Sequence, residues 1–272
     1  MSDWKSDAPP QVRISPAGWC RVLARGAVLG LLVYGGLMVL LLLRLIEKPL
    51  YGAVRPWTPY ITQWVCRAAF VILGIRTEVT GTPLTAPGAM VANHSSWLDI
   101  FALNAASRLY FVSKSEVEAW AGIGWLARAT GTVFIARKGV EAKRQQQAFE
   151  DRLRMGHKLL FFPEGTSTDA IRVLPFKSTL FAAFFSVEAP EPLQIQPVTV
   201  IYHAPKGADP RHYGWWGDMS FAPHLLKVLA DRRPGRVEVI FHPAVPVRAF
   251  ADRKSLAAHC ERVIRTSHVL AG

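Results

Sequence analysis

The sequence predicts an α/β fold, a mixed sheet flanked by helices, with an N-terminal membrane-associated helical segment before it. Two observations support this prediction. From about residue 78 onward, short apolar runs typical of strands alternate with longer helix-like segments, which is the pattern of a sheet with helices packed on its faces. Earlier in the chain, residues 26–43 form eighteen consecutive residues without a charge, the length usual for a membrane-spanning candidate.

The uncharged run has basic residues on both sides, with Arg21 and Arg25 before it and Arg44 and Lys48 after it. A signal peptide also places basic residues before an apolar core, but no small-residue cleavage site follows here. We therefore expect an uncleaved anchor. A second apolar helix is predicted over residues 60–75. The two helices could form a hairpin that dips into one leaflet, or one span and one surface helix.

The predicted organisation has two parts: residues 1–76 hold a polar tail and the membrane-anchoring helices, and residues 77–272 form the α/β domain. Apolar runs predict strands at 90–91, 109–112, 132–136, 158–162, 195–202 and 236–241. Helical patterns predict helices at 97–104, 120–129, 140–155, 178–187 and 252–270.

The charge balance favours anionic partners, because the 272 residues include 32 Lys and Arg against 20 Asp and Glu, a net charge of +12. We find no zinc-finger spacing and no dense basic block of the kind that nucleic-acid-binding proteins carry. With the apolar N-terminus, this predicts an anionic membrane surface as partner and no nucleic acid. The cysteines, Cys20, Cys66 and Cys260, have neither metal-ligand nor disulfide-framework spacing, so we expect no metal site.

The strongest chemical signal is His94 followed five residues later by Asp99, at the junction of a predicted strand and a predicted helix. A histidine can accept a proton near neutral pH, and a neighbouring carboxylate fixes its tautomer and stabilises its charged form. A structural alternative exists, since Ser96 and Asp99 also have the spacing of a helix capping box. In that interpretation Asp99 only satisfies backbone N–H groups.

Three further segments favour the catalytic interpretation over the capping one. They are residues 131–139 with Arg137, residues 160–167 with Glu164, Gly165 and Thr166, and residues 195–200. Together with the His94–Asp99 segment, they resemble in order and spacing the four sequence blocks of the glycerolipid acyltransferase family. The chain is similar to bacterial 1-acyl-glycerol-3-phosphate acyltransferases and to the related lyso-ornithine-lipid acyltransferases. The resemblance covers roughly residues 87–200.

The resemblance implies that His94 is the general base for an acceptor hydroxyl and Asp99 its orienting partner. It also implies that Arg137, Glu164 and Gly165 bind the acceptor, with Thr166 as a plausible hydrogen-bonding neighbour. A planar guanidinium suits phosphate or carboxylate oxygens. The structural alternatives are a solvated charge for Arg137 and an ordinary turn for residues 164–166.

The function that the resemblance implies is transfer of a fatty acyl group from acyl-CoA or acyl carrier protein, as co-substrate, to a lysolipid hydroxyl, with no bound cofactor. We expect lysophosphatidate as the acceptor, with a lyso-ornithine lipid as the alternative. A thioesterase or lipase and a non-catalytic membrane-anchored binding module are weaker alternatives. The expected location is a bacterial inner membrane, with the catalytic domain facing the cytoplasm.

Overall fold

The computed structural model describes residues 4–5, 13–120, 122–135, 140–187 and 192–271; for residues 140–146 and 271 it describes the backbone alone. The first elements are two packed helices, α1 (Pro16–Tyr51) and α2 (Thr58–Leu73). Ser15 caps α1, because its side chain accepts a hydrogen bond from the N–H of Gly18 at 3.2 Å. The apolar run seen in the sequence is therefore the middle of a 36-residue helix.

Among the described residues, α1 is the one helix that is long and apolar enough to cross a membrane. Most of its apolar side chains are exposed and do not pack against the rest of the protein. Its first turns are bonded to a segment about two hundred residues further along the chain. Arg21 donates to the carbonyl of Ala230 at 2.8 Å, and Arg25 donates to the carbonyls of Leu229 and Asp231 at 3.1 and 2.7 Å.

The remaining elements build the α/β part. The strands are β1 (Arg76–Thr80), β2 (Gly88–Ala92), β3 (Tyr110–Lys114), β4 (Val133–Ile135), β5 (Leu159–Phe161), β6 (Gln194–His203), β7 (Arg236–Phe241) and β8 (Val245–Pro246). The helices are α3 (Leu98–Ala106), α4 (Ile123–Thr130), α5 (Val140–Arg154), α6 (Ala183–Ser186), α7 (Phe221–Ala230) and α8 (Arg253–Ala271). Short 3₁₀ turns occupy Ser115–Ala119, Leu180–Ala182 and Val247–Ala249.

The described strands form one mixed sheet in the order β1-β7-β6-β2-β5-β3-β4, with β8 pairing β6. The strands β6, β2, β5, β3 and β4 are mutually parallel, whereas β7 runs antiparallel to β6. Strand β2 is buried along its whole length, because helices cover both faces of the sheet at this point. The predicted mixed sheet flanked by helices is confirmed.

Two apolar cores pack on opposite faces of the sheet. One contains residues of α1, α2, α3 and α7, and the other contains residues of α5, α6 and α8. Parallel strands place their carboxyl ends at one edge, so the loops that follow β2 and β5 meet there. This is the edge that holds the predicted site.

One local prediction is wrong, and some elements were not predicted. The apolar helix expected over residues 178–187 is only the 3₁₀ turn Leu180–Ala182 followed by the four-residue helix α6. Helix α7 was not predicted. Strand β1 was not predicted either, and its exposure on both faces explains why, since it lacks the apolar alternation of a half-buried strand.

Candidate active site

The loop between β2 and α3 carries the first block of candidate residues, and a neighbouring strand holds it in place. The side-chain amide of Asn93 donates to the carbonyl of Val200 and accepts from the N–H of Val200, both at 2.8 Å. These two bonds fix the loop against β6 just before His94. Sequence reasoning did not single out Asn93, although it directly precedes the histidine.

His94 and Asp99 lie side by side, with Nδ1 of the histidine 2.7 Å from Oδ2 of the aspartate. Asp99 is fully buried in the first turn of α3, whereas the His94 side chain is 20% exposed. The contact favours the tautomer that carries its proton on Nδ1, which leaves Nε2 able to accept a proton. The imidazole stacks on Phe162, with ring centroids 4.1 Å apart, so its orientation is fixed on two sides.

At Asp99 the contacts that the capping interpretation requires occur together with the contact to His94. Oδ2 of Asp99 also accepts hydrogen bonds from the backbone N–H groups of Ser95 at 2.7 Å and Ser96 at 3.0 Å. The Ser96 hydroxyl, which a full capping box would use, is buried without a partner among the described residues. The same carboxylate oxygen therefore orders the loop and contacts the imidazole.

Glu164 reaches the same loop from the turn after β5. Its Oε1 accepts from the backbone N–H of His94 and its Oε2 accepts from the backbone N–H of Leu174, both at 2.6 Å. The residue is 2% exposed. Burial raises the pKa of Glu164 to about 8, although the two backbone hydrogen bonds lower it. Because both oxygens are occupied, Glu164 connects three segments of the site.

Gly165 follows with a backbone that an L-residue rarely adopts, at φ +74°. A Cβ atom at this position would lie 2.8 Å from Nζ of Lys177. The hydroxyl of Thr166 points to the carbonyl of Ser167 at 3.5 Å, the limit of a hydrogen bond. Lys177 is thus an exposed cation beside the Glu164–Gly165 turn. The sequence analysis did not identify this lysine.

The structure brings His94, Asp99, Glu164, Gly165 and Thr166 to one edge of the sheet. Arg137, the predicted acceptor-binding arginine, lies outside the described residues. The roles predicted for all six residues therefore remain predictions.

Two further residues, Thr168 and Trp215, donate hydrogen bonds to the His94 loop. Thr168 donates to the carbonyl of His94 from its N–H at 2.9 Å and from its hydroxyl at 3.1 Å. The N–H of Trp215 donates to the carbonyl of Ser95 at 2.9 Å. The aromatic residues around Trp215 are visible in the sequence, and their density is the signal that could have located this contact.

Comparison with known proteins identifies the family to which the chain belongs. A family model described as Acyltransferase matches residues 76–201. The sequence is 58% identical over 264 residues to the lyso-ornithine lipid O-acyltransferase of Rhodobacter capsulatus, covering 97% of this chain and 96% of that protein. It is 34% identical over 248 residues to the lyso-ornithine lipid O-acyltransferase of Pseudomonas aeruginosa, covering 90% and 92%.

The chain therefore belongs to the acyltransferase family, and its activity is that of an O-acyltransferase. The fold also matches the crystal structure of the 1-acyl-sn-glycerophosphate (LPA) acyltransferase PlsC from Thermotoga maritima. The TM-score is 0.67 over 93% of this chain and 95% of that chain, at 21% identity. The resemblance inferred from the four sequence blocks is confirmed.

Proposed function

We propose that this enzyme transfers a fatty acyl group to the free hydroxyl of a lyso-ornithine lipid. The support is the similarity of nearly the whole chain to two enzymes that carry this name. The sequence prediction put lysophosphatidate first and lyso-ornithine lipid second, and the relatives support the second acceptor better. The structural match to an LPA acyltransferase is at 21% identity and speaks for the shared fold.

The observation that carries the proposed chemistry is the contact between His94 and Asp99. With Nδ1 held by Asp99 at 2.7 Å, Nε2 has no hydrogen-bond partner among the described residues and can accept the proton of the acceptor hydroxyl. The hydroxyl oxygen attacks the thioester carbonyl carbon, an ester C–O bond forms and the C–S bond breaks. His94 then returns the proton to the departing sulfur, and the buried carboxylate stabilises the transient imidazolium.

Glu164 has a different proposed role from the one that the resemblance implied. Both of its oxygens are engaged by backbone N–H groups, and the residue is almost fully buried. We therefore assign it to holding the His94 loop, and we assign acceptor contact to the groups beside it. Lys177 adjoins this turn. Its ammonium and the Arg137 guanidinium are suitable partners for the carboxylate of an ornithine head group.

The acyl donor in this proposal is acyl-CoA or acyl carrier protein. The location is the inner membrane, with the catalytic domain on the cytoplasmic side, where both thioesters are made. The long apolar helix α1 and the membrane-lipid substrates of the relatives support membrane association. The net charge of +12 favours a surface of anionic lipid.

The test is an assay of the purified full-length enzyme in mixed micelles. Lyso-ornithine lipid and lysophosphatidate are each offered with acyl-CoA and with acyl carrier protein thioester, and products are identified by mass spectrometry. We expect acylated ornithine lipid, and none with a His94→Ala variant. Phosphatidate as the main product would restore the first prediction. Release of free fatty acid without an acylated lipid would instead indicate a thioesterase.

A further inference from the structure

One oxygen of Asp99 takes no part in the hydrogen bonds of the site. Oδ2 receives three hydrogen bonds, from Nδ1 of His94 and from the N–H groups of Ser95 and Ser96. Oδ1 is fully buried and has no hydrogen-bond partner within the described part of the chain. An unpartnered carboxylate oxygen in a protein interior is costly, so an uncompensated one beside a reactive group calls for an explanation.

The hydroxyl of Tyr202 has the same deficiency. Tyr202 is buried on β6, and its hydroxyl has no partner of ordinary geometry in the described structure. Asp99 is buried on α3, a helix that shares a core with Tyr202, and burial and the charge of Asp99 both raise the pKa of Tyr202. A phenol is a donor and a carboxylate oxygen is an acceptor, so each supplies what the other lacks.

The topology explains this meeting. Strand β6 runs parallel to β2, with Val198 opposite Ala92. It then continues past the end of β2, beside the loop that carries His94, where Asn93 bonds to Val200. Tyr202 lies two residues further along β6, so its side chain projects to the same face as that of Val200, toward α3 and Asp99.

We propose that Tyr202 is a positioning residue of the His94–Asp99 pair. Its hydroxyl donates a hydrogen bond to Oδ1 of Asp99 and so fixes the rotation of the carboxylate whose other oxygen holds His94. The hydrogen bond forms when the acceptor is bound, because catalytic hydrogen bonds are often long in an unliganded enzyme and tighten in the reacting complex. This inference depends on the proposed roles of His94 and Asp99.

The purely structural alternative is that Tyr202 is a core ring packed against Tyr213, whose ring centroid is 5.7 Å away. Tyr213 supplies a matched control. It is also fully buried, and its hydroxyl accepts a hydrogen bond from the N–H of Gly235 at 2.8 Å. Tyr202→Phe and Tyr213→Phe therefore each remove one buried hydroxyl, and only the first faces Asp99.

The experiment compares full-length Tyr202→Phe, Tyr213→Phe, Asp99→Asn and the Tyr202→Phe/Asp99→Asn double variant. The acceptor is whichever lysolipid the wild-type enzyme acylates, so the result does not depend on the acceptor assigned above. We expect Tyr202→Phe to lower kcat about tenfold, equivalent to roughly 1.4 kcal/mol in the barrier, with the acceptor KM unchanged. In the Asp99→Asn background the same change should have an effect within about twofold, because the two residues act as a unit.

The pH profile gives a readout that packing alone would not change. A phenol that donates to Asp99 withdraws negative charge from the neighbourhood of His94. Its loss should therefore move the acid limb of kcat/KM to higher pH. The other ionisable groups at this point are Glu164 after β5, Arg265 on α8, which acts on Glu164, and Tyr213, which acts on Tyr202. Glu164 and Arg265 are present in all four proteins, and Tyr213 is absent only from its own variant.

Three outcomes would overturn the assignment. The first is an unchanged kcat and pH profile in Tyr202→Phe. The second is a loss of activity in both tyrosine variants that follows their loss of thermal stability. The third is a double variant in which the two single losses multiply. Failure of the His–Asp mechanism itself is detected separately, because His94→Ala would then retain activity.

Discussion

The carboxylate of Glu164 accepts a hydrogen bond from the backbone N–H of His94 at 2.6 Å. The two residues are seventy positions apart in the chain, and the bond joins the loop after β2 to the loop after β5 at the edge of the sheet. Because the second oxygen of Glu164 bonds to Leu174 at the same distance, the carboxylate holds the His94 loop and the Leu174 segment together. Its effects on rate, stability and pH dependence can be separated experimentally.

Glu164→Gln should lower kcat and leave the acceptor KM unchanged. The amide keeps one oxygen acceptor but presents an NH₂ group to the second backbone N–H, so one hydrogen bond is lost and two donors face each other. We expect a loss of at least about tenfold, the factor that 1.4 kcal/mol makes in a rate. Steady-state kinetics check this. A raised KM with an unchanged kcat would instead support acceptor binding by Glu164.

The stability of the protein should carry a pH dependence from the same residue. Burial raises the pKa of Glu164 to about 8, whereas a glutamate in an unfolded chain has a pKa of about 4.3. The folded chain therefore binds more protons between these values, and this contribution to stability is full below about pH 4.3 and is lost as the pH rises toward 8. Glutamine does not titrate. The difference in unfolding temperature between wild type and Glu164→Gln should shrink from pH 5 to pH 8, and a constant difference would contradict the prediction.

His94→Ala should abolish transfer without unfolding the protein. A general base contributes roughly 10² to 10⁴ in rate, and the His94 ring is partly exposed, so its removal leaves no closed cavity. Asp99→Asn should slow the reaction as well, because an amide cannot stabilise the imidazolium. The control is His259→Ala, a partly exposed histidine on α8. Activity within a few-fold of wild type in His94→Ala would refute the assignment of the base.

The exposed apolar face of α1 should account for much of the attachment to membranes. Leu31 and Leu45 are 76% and 72% exposed. Replacing both by Asp should leave the fold intact in detergent and shift the protein toward the soluble fraction, since a carboxylate at Leu31, near the centre of the helix, alone costs about 2.5–3.5 kcal/mol on insertion. The matched control replaces Val269 and Leu270, equally exposed apolar residues on α8. Equal release of both variants would show that α1 has no special part.

Gly165→Ala tests whether the turn beside Glu164 matters for activity. The backbone there has φ +74°, and an added Cβ would lie 2.8 Å from Nζ of Lys177. The strain costs about 1–2 kcal/mol, and Lys177 must move. Gly207→Ala is a matched control, because Gly207 has φ +82° with nothing within 4 Å. Both variants should lose similar stability, and only Gly165→Ala should lose activity in the acylation assay. Equal activities would show that Lys177 and the turn do not contact the substrate.

Many of the helices and strands can be predicted from the sequence, because each is indicated by a pattern within its own segment. Buried parallel strands appear as continuous apolar runs, and the strand before His94 is predicted where β2 lies. The long uncharged run likewise locates α1. The order of the strands cannot be predicted in this way, since it depends on contacts between segments more than a hundred residues apart, such as the pairing of β2 with β6.

The candidate site shows the same division. The types and spacing of His94, Asp99 and Glu164 point to the chemistry and to the family. They do not reveal that Glu164 points its oxygens at backbone N–H groups, because that depends on how two loops meet. Tyr202 is hidden for a related reason: within an apolar strand, a tyrosine resembles any other core ring until its hydroxyl is located.

The bonds from Arg21 and Arg25 to the end of α7 attach the start of the apolar helix to the α/β part of the molecule. At 1.5 Å per residue, α1 extends about 54 Å, well beyond the ~30 Å of a hydrocarbon core. A tilt of this helix in a bilayer would therefore tilt the attached α/β part as well. The height of His94 above the lipid surface would be set by helix packing, and the enzyme would act on hydroxyl groups presented at one depth.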